Sequence, residues 1–153
     1  MAIEDVVKEI VVEATAEHAF KVFTDKIGAW WPLEGHSVSE SVGAKGLTVK
    51  IEPFVGGEIV ETSDAGKKYV WGRIRDWQPG ERLKFSWLMG LEEAEASEVE
   101  VTFAQEGQKC RVTLVHRNWD GYGEGARAKR DNYNKGWDLV FGQCFMAASA
   151  EAE

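Results

Sequence analysis

A chain of 153 residues has the length of one domain, and its 18 basic against 26 acidic side chains leave a net charge of −8, the wrong sign for gripping a phosphate backbone or an anionic bilayer. Hydrophobic content of 44% with 29% charged residues is a globular balance, which excludes a disordered chain. Seven Trp, seven Phe and three Tyr are the unusual component: such rings fill a core or line a pocket, and position has to separate the two uses.

The N-terminal Met1-Ala2-Ile3-Glu4-Asp5 is acidic, with no charged-then-apolar leader, and no stretch of about 18 apolar residues follows, so a cytoplasmic protein without membrane insertion is expected. Lys8 to Glu13 is rich in β-branched residues and reads as a strand. Thr15 then stands as an N-cap before Ala16, Ala19, Phe20 and Phe23 at helical spacing. Thr24 or Asp25 is placed to cap a second short helix through Ile27 and Trp30, ended by Pro32. Adjacent helical residues do not share one stripe, so one of Trp30 and Trp31 is expected at an entrance.

From Gly46 the period changes to two. Five runs of strand character are expected, separated by Gly56-Gly57, Asp64-Ala65-Gly66, Pro79-Gly80 and Glu106-Gly107. Leu83, Phe85 and Trp87 form one dry face, Val99, Val101 and Phe103 another, and His116 continues the apolar row of Cys110, Val112 and Leu114. Both cysteines lie in apolar-patterned segments without metal-ligand spacing, which suits reduced thiols. After Gly121 and Gly123, the residues Tyr133, Trp137, Val140, Phe141, Cys144, Phe145 and Ala148 recur at three- and four-residue steps of a long helix that frays after Ala148. Gly136 and Gly142 within it suggest a kink or close packing. The basic cluster Arg127, Lys129 and Arg130 reads as the solvated start of this helix.

One strand, two short helices, an antiparallel meander and a long amphipathic helix make a single α+β domain over residues 1–153. Six or seven curved strands cover the helix stripe, and space is left between them unless side chains fill it. The chain also resembles the SRPBCC superfamily of START-like helix-grip domains, and within it the AHSA-type family similar to the C-terminal domain of the heat-shock-protein ATPase activator. The carriers are Trp30-Trp31-Pro32 with His36-Ser37, Gly56-Gly57, Gly72, Trp77-Gln78-Pro79-Gly80-Glu81-Arg82-Leu83 with Phe85-Ser86-Trp87, Leu114-Val115-His116-Arg117-Asn118-Trp119, and Gly136-Trp137. The resemblance spans nearly the whole chain. It implies a hydrophobic cavity between the sheet and the C-terminal helix, and three alternative uses of it: holding a small apolar or amphipathic molecule, a polyketide cyclase-like reaction, or docking a chaperone partner. The co-chaperone carries a further N-terminal domain, whereas this sequence begins almost at its first strand, so ATPase activation is the least expected. Asn118 stands where many relatives resemble His-Arg-Gly-Trp.

The candidate ligand-binding residues are Trp31, Trp71, Arg73, Trp87, His116, Trp119, Tyr133, Trp137 and Phe141. His116 is either a structural histidine or the base of a cyclase-type reaction, and Arg73 either pairs with Glu58 on the surface or turns inward to a polar ligand group. The register around Trp71 to Arg73 decides this and is open at the level of sequence. His36 is placed either at a pocket mouth or on the plain surface. No triad, P-loop, dinucleotide or metal motif is present, so no cofactor and no metal are expected, and monomer and homodimer both stay open.

Overall fold

Short stretches that alternate dry and wet residues between turn signals find one another as neighbours, and every pairing is antiparallel. The computed structural model describes residues 3–33, 36, 39, 43–88 and 97–150. Strand β1 (Val6–Val12) leads into α1 (Ala16–Thr24) and α2 (Ile27–Trp30). Then come β2 (Gly46–Ile51), β3 (Glu58–Ser63), β4 (Lys68–Gln78), β5 (Arg82–Trp87), β6 (Ser97–Glu106) and β7 (Lys109–Arg117). The sheet order β1-β7-β6-β5-β4-β3-β2 closes the first strand onto the last. Six strands rather than five follow Gly46, because even the short Gly46–Ile51 and Glu58–Ser63 stretches gain full ladders from each other.

Thr15 caps α1, its hydroxyl accepting the His18 backbone N–H at 3.1 Å. The second helix lacks the expected side-chain cap: Thr24 donates its hydroxyl back to Phe20 O at 2.9 Å, and Lys26 occupies the N-cap position. Trp30 and Trp31 are both buried, contrary to the expectation that one marks an entrance. The reason is local. The helix stops at Trp30, and Trp31 has extended backbone (φ −68, ψ 126), so its ring is no longer bound to the helical stripe.

A 3-10 segment, Trp119–Gly125, follows β7 through Asn118, whose left-handed backbone (φ 67, ψ 55) makes it the one non-glycine residue with positive φ among those described. Asparagine tolerates that region better than most other side chains, which suits it to this position. The C-terminal helix α3 is α-helical over Ala126–Leu139, π-helical over Val140–Phe145 and α-helical again over Met146–Ser149. Its inward residues Tyr133, Trp137, Phe141, Phe145 and Ser149 stand four apart. On a pure α-helix each four-residue step overshoots one turn by about 40°. The wider π turns, in which Met146 N–H reaches Phe141 O, hold the stripe on one side. Gly142 lies within that stretch, yet an added Cβ at Gly136 or Gly142 would meet neighbours only at 4.0 Å, so neither marks close backbone packing. Order also continues one residue past Ala148, since Ser149 is fully buried and donates its hydroxyl to Phe145 O at 2.7 Å. Residues 151–153 lie outside the described set, as does Ser37.

Strand β4 carries the fold's tightest approach. On its β3 side Ile59 pairs with Gly72 and Val60 with Val70, leaving Trp71 as the extra residue of a bulge. Trp71 and Ile74 therefore both point into the core, and Arg73 between them faces out. On the β5 side, a Cβ at Gly72 would lie 1.9 Å from the Ser86 carbonyl oxygen, while Ser86 Oγ accepts the Arg73 N–H at 3.1 Å. Only glycine fits there. Gly72→Ala is expected to cost about 3 kcal/mol or more. Urea unfolding checks this, and an unchanged midpoint would show that the crossing of β4 and β5 relaxes freely.

Candidate functional site

The inward faces of the sheet and α3 meet in two aromatic zones. In the first, Phe23 touches Trp30 and Phe145 at ring-centroid distances of 5.3 and 5.2 Å, and Phe141 stacks on Phe145 at 5.6 Å. Phe141 thus belongs to a filled base. In the second zone, Trp31 lies 4.8 Å from Trp71 and 5.8 Å from Trp137, while Trp87 lies 5.9 Å from Trp71 and 5.8 Å from Trp137. Trp87 also meets His116 and Tyr133, each at 6.2 Å. Seven of the nine candidates, Trp31, Trp71, Trp87, His116, Trp119, Tyr133 and Trp137, are brought together here. Trp30 and Trp31, 5.7 Å apart, join the zones.

His116 is the polar centre. It has no solvent exposure and packs against Trp119 with ring centroids 4.0 Å apart. The Trp137 indole can only donate, so its Nε1–H, 3.1 Å from His116 Nδ1, identifies Nδ1 as the acceptor and places the ring proton on Nε2. Nε2 then donates to Ser97 Oγ at 2.7 Å, and Ser97 in turn meets the Tyr122 hydroxyl at 2.7 Å. Trp119 Nε1–H donates to the His116 carbonyl at 3.1 Å. Burial pushes the imidazole down to about 3, so it is neutral at ordinary pH. With its one lone pair held by Trp137, the ring is a positioned structural group rather than a free base.

A second buried polar residue fixes the far wall. Glu61, on β3 between Ile59 and Ser63, accepts the Trp71 Nε1–H at 2.8 Å through Oε1. Its Oε2 accepts the Ser39 N–H at 2.9 Å and the Ser39 hydroxyl. Arg73 does not join the site: the bulge at Trp71 turns it outward, where Nη2 stands 3.5 Å from Glu58 Oε2 and half its side chain is exposed. His36 is half-buried and its carbonyl accepts the Trp31 Nε1–H at 2.9 Å. An open groove of about 390 Å³ lined by Lys50, Glu58, Val60, Thr62 and Lys68 lies elsewhere, among the outward residues of β2 to β4.

Ser97, Tyr122 and Glu61 were missed at the level of sequence, although two of them had a signal. Alternation back from Val99 puts Ser97 on the dry face, and alternation from Ile59 does the same for Glu61. Tyr122, in the irregular 3-10 segment, had none. Among the described residues no group of three His, Cys, Asp or Glu is arranged to hold a metal ion.

The sequence profile of the family described as activator of Hsp90 ATPase homolog 1-like protein matches residues 13–144. Among solved structures the chain is similar to an anthrahydroquino-γ-pyrone synthase, Txn09, determined as a complex, at 35% identity over 97% of this chain and 96% of that one, with a TM-score of 0.65. It is similar to CalC, a self-sacrificing resistance protein from Micromonospora echinospora, at 28% identity over 95% and 93% of the two chains, with a TM-score of 0.66. Protein CV1439 from Chromobacterium violaceum, 18% identical over 97% and 99% of the chains with a TM-score of 0.66, shares the fold. A search of curated protein sequences finds no match. No helix among the described residues is long and apolar enough to cross a membrane.

The neutral His116 makes stability depend on pH. Its folded value of about 3 lies below the ordinary 6.5, so between these limits the unfolded chain binds a proton that the folded chain does not. The contribution is complete above pH 6.5 and is lost as pH falls toward 3. From pH 7 to pH 5 the wild type is expected to lose about 2 kcal/mol more than His116→Gln. Urea unfolding at the two pH values measures the difference, and parallel losses would mean that the imidazole protonates inside the fold.

Proposed function

The chain belongs to the family of activator of Hsp90 ATPase homolog 1-like proteins, and on that premise we propose that it binds a small, planar, apolar or amphipathic molecule between the sheet and α3. The observation that carries this reading is the continuous array of Trp31, Trp71, Trp87, Trp137 and Tyr133 rings at the meeting of the two inner faces. Flat, rigid rings present stacking surface at little entropic cost, and apolar walls with a few fixed polar groups are the general pattern of small-molecule sites. Trp119 and His116 support the array from behind, whereas Phe141 and Arg73 are left out of it.

Native mass spectrometry of the freshly purified protein tests the proposal: a reproducible small-molecule adduct that leaves on activation is expected. Titration of the stripped protein with planar aromatic compounds extends the test through quenching of indole emission. Absence of both an adduct and any saturable quenching would defeat the reading.

A second reading is favoured by the 35% identity to an anthrahydroquino-γ-pyrone synthase over nearly the full length of both chains. In it the same surface templates ring closure of a poly-β-ketone, holding reacting carbons in a near-attack arrangement while water is excluded. Because the His116 lone pair is occupied, the contribution is orientation rather than proton abstraction by that imidazole. Incubation with an aryl poly-β-ketone is expected to give a single cyclised, dehydrated product faster than buffer does. A product mixture and rate equal to buffer would leave binding as the whole function.

A further inference from the structure

We infer that the Tyr133 hydroxyl is the hydrogen-bond donor with which the ring array reads an oxygen atom of its bound molecule, so that planar aromatic ketones are the class it selects. This rests on the ligand-binding reading above and adds the residue that sets specificity.

The array is shut along most of its length. Trp71, Trp87 and Trp137 are 0–2% exposed and Trp31 is 9% exposed, while Trp119 and His116 behind them are fully buried. Tyr133 is the exception. It stands four residues before Trp137 on the inward stripe of α3, and it is half-buried. Its ring lies edge-on to Trp87 at 6.2 Å, with His116 at 5.1 Å and Trp119 at 5.8 Å. The ring surface therefore reaches solvent at this side chain.

Its polar atom differs from the others in the same way. Both ring nitrogens of His116 and the indole N–H groups of Trp31, Trp71, Trp119 and Trp137 are engaged in hydrogen bonds. The Tyr133 hydroxyl makes none among the described residues, and it keeps contact with solvent. Beside it is the Trp87 indole, whose Nε1–H is buried and lacks a hydrogen-bond partner. Burial pushes the Tyr133 phenol up to about 12, and the Trp87 side chain works against that push, as a donor facing the phenol oxygen does.

An indole N–H only donates, so Trp87 addresses the oxygen of Tyr133 and leaves its proton unused. The phenol stays protonated at ordinary pH, and a donor behind its oxygen makes its own O–H a stronger donor. What the pair lacks is an acceptor. A cation brings none, and a carboxylate would give up its hydration for one neutral donor among rings. A carbonyl conjugated to a planar ring system meets both demands of the site: its rings match the indole faces, and its oxygen reaches Tyr133 at their rim.

The test uses 2-acetylnaphthalene and 2-ethylnaphthalene, which share one planar ring system and differ at the carbonyl. In equilibrium dialysis of the intact protein, Tyr133→Phe is expected to weaken binding of the ketone about fivefold, the effect of one neutral hydrogen bond, and to leave the hydrocarbon within about twofold. Infrared spectra keep the inference testable where that variant fails to fold. The carbonyl stretch of the ketone bound to the wild type is expected below its position in hexane, and lower again with 3-fluorotyrosine, a more acidic phenol, in place of Tyr133. Equal effects of Tyr133→Phe on the two probes, a stretch as in hexane, or one indifferent to 3-fluorotyrosine each overturns the role of Tyr133 while leaving ligand binding intact. Failure of both probes to bind the wild type overturns the ligand-binding reading and this inference with it.

Discussion

An indole can be buried cheaply only if its N–H finds an acceptor, and an interior that holds six tryptophans has to provide for each of them. Much of the polar architecture follows from this. A buried carboxylate, Glu61, and a buried imidazole, His116, are costly in an apolar core, yet each receives an indole proton: Glu61 from Trp71 and His116 from Trp137. Backbone carbonyls of Val22, His36 and His116 serve three more. An unmet donor of this kind costs about 1–3 kcal/mol, so the unpaired N–H of Trp87 stands out against a core that otherwise meets the requirement.

The same pairing sets the electrostatic character of the site. Accepting from Trp137 determines the tautomer of His116, whose Nε2 then donates to Ser97 Oγ, and Ser97 in turn meets the Tyr122 hydroxyl. Three elements, α3, β7 and the start of β6, are tied by bonds of 2.7–3.1 Å. The outer face is governed by a different interaction. Arg117 bridges Glu98 and Glu100, each at 2.8 Å, and Arg111 joins Glu9 and Glu106. These are partly exposed cross-strand pairs whose worth in water is small. These ion pairs lie on the outer face, whereas hydrogen bonds from indoles hold the inner one, which suits an aromatic occupant.

Backbone irregularities place the rings. The bulge at Trp71 lets two residues of β4 three positions apart both face inward, and Gly72 permits the approach to the Ser86 carbonyl that this needs. The extended backbone at Trp31 frees its ring to meet Trp71 and Trp137. The π-helical turns keep Trp137 and Phe145 on one side of α3. Each device departs from ideal geometry at a point where an aromatic side chain has to be aimed.

Local patterning was enough to read the element order, the dry faces of β5 to β7, the helix cap at Thr15 and the amphipathic stripe of α3, because these follow from periods of two and of 3.6 and from short-range hydrogen bonds. The same patterning brought His116 and most of the tryptophans to the inner surface. It could not separate the inward Trp71 from the outward Arg73, since a bulge changes the parity of a strand and is set by the pairing with β3. It could not find the chain from Trp137 through His116 and Ser97 to Tyr122 either, although Ser97 lay on a legible dry face. Those partners are separated by 19 to 25 residues or stand on different elements, so only the folded sheet and helix decide which donor meets which acceptor, and which is left without one.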